Sequence, residues 1–495
     1  MLRSTIGSTA AVLCATIAPV AAAANLATAI ITGDQVALRA APLGSAQQQA
    51  VLWQGEMVEI RSERMDYLQV YEYRRERGGF VHVSQARRIE LTEDAAPEML
   101  SIVRFLRDTP GVEALGIGFA MAYVQAAPAE VLRGETGSEA LDALGTFADR
   151  LARRASSGIV RTRTLGTTLS AHLDVAVGYG MRFLSYERAG RMQICYDGDA
   201  FRRVLTMTSS AERRARAALA LTRDECIDSE LGPLERNRVD EWRAGVLDRV
   251  DTSPLPGYLM NRVRMRRASV WAGLAYQRAR NGEAADAAAG RALEEFAAIN
   301  KYELADADRV AYNDAAMRVS ASRWAAVPAP APATGKRPRI VTAPGRPGET
   351  CVVLIDAKNG VVNPLARRCT YGIVWDSSVT LNREGSALAV AVQPMDSWRE
   401  LWIFRKEAGG WTVRVLPPAA TMPEIGYAEF AGWVPGGKQM LVAREARSDG
   451  KYRRNFEVMR LDTLTVAYQA SDPGMLGAFQ RWLDPTWKQQ TVSIR

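Results

Sequence analysis

The sequence predicts a multidomain chain of α and β parts, and three observations predict it. Short segments of alternating apolar and polar residues, separated by turn formers, fill 29–92. Apolar residues at three- and four-residue spacing dominate 95–327, which reads as mainly α-helical. Alternation returns over 349–495, which reads as a second β-rich domain. Between the last two regions lies "VPAPAPATGKRPR" (327–339), and its Pro/Ala alternation makes 328–348 an extended, semi-rigid, solvated linker. A protease is expected to cut there first.

The first 24 residues read as a secretory signal peptide. Arg3 precedes the apolar and small run "IGSTAAVLCATIAPVAAAAN", no charge follows until Asp34, and Ala22-Ala23-Ala24 suits cleavage after small residues. Ser, Thr, Gly and Pro dilute the run below what a bilayer span needs. Leu13 stands where a lipid-anchoring signal at Cys14 needs a small residue. The expectation is a periplasmic or secreted protein with no integral membrane segment after cleavage.

Cysteine usage fits an oxidising compartment. Without Cys14 the chain keeps Cys195, Cys226, Cys351 and Cys369, and proximity favours Cys195–Cys226 and Cys351–Cys369 among three pairings. Loops of that size add about 3 kcal/mol each in the chain-entropy account. A zinc site needs close pairs such as C-x-x-C, and none is present, so no metal is expected.

Charge excludes little. The net +8 becomes +7 when Arg3 leaves with the signal, which is modest for 495 residues. The basic cluster "RVRMRRAS" (262–269) sits at helical spacing beside Leu259, Val263 and Val270 and reads as a solvated helix face. Interleaved aromatics or a known module would be needed for nucleic acid, so no nucleic-acid partner is expected.

In the first β region, "QVALRAAP" (35–42), "AVLWQGEMVEI" (50–60), "DYLQVYEY" (66–73) and "GGFVHVS" (78–84) are the strand candidates. Their order resembles a bacterial SH3 domain. The matching residues are Val36, Leu38, Arg39 and Pro42, then Gly55, Val58 and Ile60, then Tyr67 and Val70, then Gly79, Phe80, Val81, His82 and Ser84. Where the family usually has tryptophan, near Tyr67 and at Phe80, this chain keeps aromatic character. The resemblance implies a small SH3-like β-barrel that binds peptidoglycan or an envelope protein peptide. Tyr67, Tyr71, Phe80 and His82 are its ligand-binding candidates, with Tyr73 as a further aromatic; such faces recognise flat or amphipathic groups. On alternating strands, about half of the aromatics would instead fill the core.

The helical region opens with "PEMLSIVRFLRDT" (97–109) and "SEALDALGTFADRLARRA" (138–155). Residues 157–197 look less regular, with a hairpin in "FLSYERAGRMQICYDG" (183–198) turning at Ala189-Gly190. Asp199 is the expected N-cap of the helix over "AFRRVL". Breaks fall at Gly232-Pro233 and at "TSPLPG" (252–257). The stretch 269–299 resembles one tetratricopeptide repeat, with Gly273, Tyr276, Gly282, Ala285, Ala289 and Ala292 at its contact positions, which implies a solenoid-like stacking of helices.

In the C-terminal region, 378–416 and 427–466 repeat one scheme about 50 residues apart: "REGSALAVA" answers "PGGKQMLVA", and "ELWIFR" answers "NFEVMRL". They resemble bacterial propeller blades, without the Asp of the turn. "ETCVVLIDAKNGVV" (349–362) starts an earlier blade through an Asn359-Gly360 turn. The expectation is an antiparallel domain, propeller-like or a sandwich, with possible completion of the sheet by self-association, since a closed propeller needs at least four blades.

The sequence lacks H-E-x-x-H, G-x-S-x-G and the phosphate-binding loop. Only His82 and His172 are available, and His172 in "LSAHLDVAVG" reads as a core or packing residue. The acidic stretch "TRDECIDSE" (222–230) offers Asp224, Glu225, Asp228 and Glu230 as a carboxylate pair for a wall hydrolase, the rival reading. "YDGDAF" (196–201) lacks the rest of a calcium loop. The expectation is an exported, non-catalytic envelope protein without cofactor, using the SH3-like module for binding and its helices and C-terminal sheet as a protein-interaction scaffold.

Overall fold

The computed structural model describes residues 27–157, 163–188, 190–328, 336–420, 424–448, 450–485 and 487, so the expected signal peptide lies outside the described residues. The chain divides into two compact units. The first comprises Met1–Leu132, Thr146–Ala155 and Ile159–Met181; the second comprises Arg133–Gly145, Ser156–Gly158 and Arg182–Arg495.

The first unit opens with seven strands: β1 (Thr28–Ile31), β2 (Val36–Arg39), β3 (Gln48–Leu52), β4 (Met57–Arg64), β5 (Tyr67–Glu72), β6 (Arg77–His82) and β7 (Ala86–Ile89). They form one antiparallel sheet in the order β3-β2-β6-β5-β4-β1-β7. Period-two alternation puts Ala29, Ile31, Val36, Leu38, Leu52, Val58, Leu68, Val70 and Val81 into one apolar cluster. The sheet path ends at β3 and β7, so the barrel implied by the SH3 resemblance is not closed among the described residues. Sequence patterning missed β1 and β7, which are only four residues long each.

Four helices follow: α1 (Ala96–Arg107), α2 (Glu113–Ala126), α3 (Ala129–Arg133) and α4 (Glu135–Ser156), the last contributing residues to both units. The fifth, α5 (Arg163–Gly178), occupies a stretch that looked irregular in the sequence. Its small and polar residues, "GTTLSAH", blur the apolar period, yet Leu169, His172, Val175 and Ala176 form a buried stripe at helical spacing. Within this unit the turn before β4 meets α2 at close range. Gly55 has φ +88°, and a Cβ there would lie 2.1 Å from the carbonyl oxygen of Ala114.

In the second unit the expected hairpin is present as β8 (Phe183–Arg188) and β9 (Arg191–Tyr196), with Gly190 at φ +72°. Ala189 lies outside the described residues. Helices α6 (Asp199–Thr206), α7 (Ala211–Leu221), α8 (Pro233–Asp248), α9 (Gly257–Arg280), α10 (Asp286–Ala297) and α11 (Arg309–Ser322) come next. The N-cap of α6 is Gly198, not Asp199; Asp199 falls in the first turn and its N–H donates to Asp197 Oδ1. A left-handed Gly198 at φ +86° lets the chain enter the helix one residue earlier than the Asp-cap pattern suggested. The predicted breaks hold: Gly232 caps α8, and 249–256 separate α8 from α9. Helices α9 and α10 form the hairpin seen in 269–299, with Gly282 at φ +73° in its turn and Ala288, Ala289 and Ala292 buried.

After 323–338 the chain is β again. Strands β10 (Arg339–Pro344), β11 (Thr350–Ile355) and β12 (Ala366–Thr370) make a three-stranded antiparallel sheet. The β11–β12 connection spans 356–365 and is shaped by Asp356, whose Oδ1 accepts from the N–H groups of Lys358 and Asn359, rather than by a two-residue Asn359-Gly360 turn. Two four-stranded meanders follow: β13 (Ile373–Leu381), β14 (Ala387–Met395), β15 (Trp398–Glu407) and β16 (Gly410–Leu416), then β17 (Ile425–Val434), β18 (Gln439–Ser448), β19 (Lys451–Arg460) and β20 (Val466–Ala470). They are the two sequence repeats, joined into one eight-stranded sheet by a short parallel pairing of Trp398 and Arg399 with Gly426 and Tyr427. A last short helix, α12 (Gly477–Trp482), sets Phe479 against Phe456. The cysteines pair as Cys195–Cys226 and Cys351–Cys369.

Candidate functional site: an aromatic face on the N-terminal sheet

Register brings the four candidate residues onto one face. On β5 the pattern is Tyr67 half-buried, Leu68 buried, Gln69 half-buried, Val70 buried and Tyr71 half-buried. On β6 Phe80 and His82 are half-buried while Gly79 and Val81 are buried. Residues directly opposite in a sheet share a face. Three rungs therefore run across β4, β5 and β6: Arg64–Tyr67–His82, Ser62–Gln69–Phe80 and Glu59–Tyr71–Gly78. The apolar core takes Leu68, Val70 and Val81 from the other face, so none of the four candidates belongs to it.

The two glycines that open β6 serve opposite faces. A Cβ on inward Gly79 would meet Leu38 Cγ at 2.7 Å and the Arg39 carbonyl oxygen at 2.8 Å, so glycine permits the close approach of β2. Gly78 lies opposite Tyr71 and leaves the flank of that ring uncovered.

The aromatic groups are held by specific contacts. The rings of Tyr67 and His82 meet edge to face at 5.2 Å. His82 Nδ1 accepts from the Ser84 N–H at 3.3 Å and lies 2.7 Å from the Ser84 hydroxyl. Tyr71 and Tyr73 meet edge to face at 5.0 Å, and the Arg61 guanidinium lies 5.5 Å from the centre of the Tyr71 ring. The Tyr73 hydroxyl donates to Glu59, a carboxylate that is 4% exposed and is also paired with Arg61 at 3.0 Å. That bond to Glu59 is the main cause holding the Tyr73 phenol above its usual range. Arg61 and Glu59 were not among the candidates. Register sets Glu59 directly opposite Tyr71, and Arg61 sits at the bulge between Ile60 and Ser62, a feature that leaves no mark in the alternation of "VEIRSER".

The other histidine stands apart from this face. His172 on α5 is buried, and its Nε2 lies 2.6 Å from Asp34 Oδ1 in the β1–β2 turn. This bond is the first cause of the depressed Asp34 carboxyl. The dyad ties α5 to the sheet within the first unit, in keeping with a packing role.

Asp224, Glu225 and Asp228 each have a side-chain partner. Asp224 contacts Arg188 at 3.2 Å, Arg236 at 3.3 Å, Arg318 at 3.5 Å and Arg243 at 3.8 Å. These arginines outweigh the desolvation that opposes them and hold its carboxyl far below the usual range. Glu225 pairs with Arg223 at 3.0 Å, and Asp228 Oδ1 accepts from the Glu230 N–H. A general acid needs a raised pKa, and Asp224 has the reverse. Glu349, Cys351 and Cys369 bring their ligand atoms within 4.8 Å of one another, but the disulfide occupies both sulfurs. Among the described residues, no helix is long and apolar enough to cross a membrane.

No protein family, curated protein or solved structure matches the chain.

Proposed function

We propose that the chain is an exported, non-catalytic envelope protein whose N-terminal sheet is an SH3-like module for peptidoglycan stems or envelope peptides. The carrying observation is the shared face of Tyr67, Tyr71, Phe80 and His82, three rungs wide and outside the core. An extended peptide laid across those rungs would meet aromatic rings at two ends and the Gln69 amide between them, a pairing of flat apolar faces with polar handles. The SH3 resemblance gains support from where its residues fall: Val36 and Leu38 on β2, Val58 and Ile60 on β4, Tyr67 and Val70 on β5, and Gly79 to His82 on β6. Two disulfides and the lack of a membrane-spanning helix among the described residues are compatible with export.

In this reading the α9–α10 hairpin and the C-terminal meanders are the scaffold. The two four-stranded repeats are propeller-like blades, and β20 is the edge that a second copy or a partner would extend. Its Tyr468 is 66% exposed and its Val466 42% exposed.

Co-sedimentation of the full chain with purified sacculi tests the reading, with stem-free glycan strands beside them. Retention by intact sacculi, lost on the stem-free strands and on Tyr67→Ala or Phe80→Ala in a folded protein, is expected. Equal retention by all of these would refute a stem-binding face.

A further inference from the structure

Five arginines of the second unit converge around the turn that carries Asp224, and they outnumber the acids they meet. Arg188 closes β8, Arg236 and Arg243 lie on α8, Arg266 on α9 and Arg318 on α11. Arg188, Arg236, Arg243 and Arg318 share the single carboxylate of Asp224 at 3.2–3.8 Å. Guanidinium–carboxylate contacts are best at about 2.7–2.9 Å, so none of the four reaches its optimum. Two further acids take part: Asp240 bonds Arg243 at 2.6 Å and Arg236 at 2.8 Å, and Asp396 meets Arg318 at 3.2 Å. Arg223 and Glu225 also pair with each other, at 3.0 Å.

Arg266 tips that balance. Among the described residues it makes no ion pair, and its one hydrogen bond goes to the Leu219 carbonyl at 3.3 Å. Burial, with Arg243 next, lowers its pKa to about 10. Five cations against the three carboxylates in contact with them leave an excess of positive charge, which the more distant Glu225 and Asp314 offset in part, a costly arrangement in a protein interior. Yet the cluster reaches the surface, because the side chains of Asp224, Arg188 and Arg236 stay 34%, 37% and 29% exposed.

We propose that this arginine cluster binds a small oxyanion, a phosphoryl group or a dicarboxylate, with Asp224 as the internal pivot that keeps the guanidinium groups converged. Each guanidinium has five N–H donors in a planar fork that fits oxyanions, and the long contacts to Asp224 leave donor capacity for a ligand. Pre-organisation comes from covalent structure: Asp224 and Cys226 share one turn, and Cys226 is bonded to Cys195 on β9. A purely structural network would instead pair each cation, and Arg266 would have an acid of its own. The site is independent of the aromatic face.

Titration of the full-length, disulfide-bonded protein with inorganic phosphate, and separately with succinate, tests this. Ionic strength is held constant with chloride, and binding is followed by calorimetry and thermal unfolding. A saturable rise in Tm with a sub-millimolar Kd is expected for at least one anion, and the one that acts identifies the chemistry. Arg266→Met should bind at least tenfold more weakly while its Tm in chloride alone equals or exceeds that of the wild type. Should that variant not fold, Arg188→Gln, at the rim, should bind at least fivefold more weakly. No saturable response beyond chloride to either anion, or unchanged affinity in the folded variant, would overturn the proposal.

Discussion

Tyr67 and His82 stand directly opposite each other on β5 and β6, with ring centres 5.2 Å apart and planes at 90°. The pair forms one end of the aromatic face and fixes both rings. Edge-to-face pairs contribute about 0.5–1.5 kcal/mol beyond buried area. Tyr67→Ala should therefore cost about 1–2 kcal/mol by chemical denaturation, whereas Tyr67→Phe should stay within about 0.5 kcal/mol.

Asp34 supplies a pH dependence. Its carboxyl is depressed in the folded state, first of all by the hydrogen bond with His172. Such a group adds stability above its unfolded pKa, near 3.9, and the contribution disappears as pH falls through the lower folded value. Wild type should exceed Asp34→Asn in stability at about pH 5, and the margin should shrink as pH falls below about 4. Urea titrations of both proteins across that range check it, and a margin that persists into acid would assign the effect elsewhere.

Gly55 joins two demands at one position. Its φ of +88° lies in the left-handed region, and a Cβ there would strike the Ala114 backbone of α2. Since backbone cannot swing aside as a side chain can, Gly55→Ala should destabilise by more than about 2 kcal/mol. Replacement at Gly111, also at positive φ but with open space around it, should cost less.

In the second unit, Glu429 neutralises two buried arginines. Arg323 bonds it, Arg399 lies 3.4 Å away, and all three residues are less than a tenth exposed. Burial alone draws the Arg399 pKa down to about 9. Glu429→Gln removes the carboxylate that faces both cations and should cost about 3–5 kcal/mol. Thermal unfolding measures it; a loss under 1 kcal/mol would mean the arginines find other partners.

Much of this architecture was legible in the sequence, for reasons that differ by element. Alternation located β2 to β6 and the two C-terminal meanders, because half-buried strands must alternate. Gly232-Pro233 and "TSPLPG" marked the ends of α8 and the start of α9, because glycine and proline act locally. By contrast, α5 was hidden by its small and polar residues, and its role became visible only through His172 and Asp34, 138 residues apart in sequence. The four aromatic candidates were named from motif order, but that they share a face depends on register across two strands. Glu59 reaches that face by its register opposite Tyr71, and Arg61 lies at a bulge. The convergence at Asp224 was the least legible, since its arginines come from β8, α8, α9 and α11 and only tertiary packing brings them together.

The most direct measurement is calorimetric titration of the full chain with a synthetic stem peptide, for wild type and for Tyr67→Ala combined with Phe80→Ala. The account predicts saturable binding by wild type and at least tenfold weaker binding by a double variant with an unchanged circular dichroism spectrum. Equal affinity in the two proteins, or no binding by a folded wild type, would contradict it.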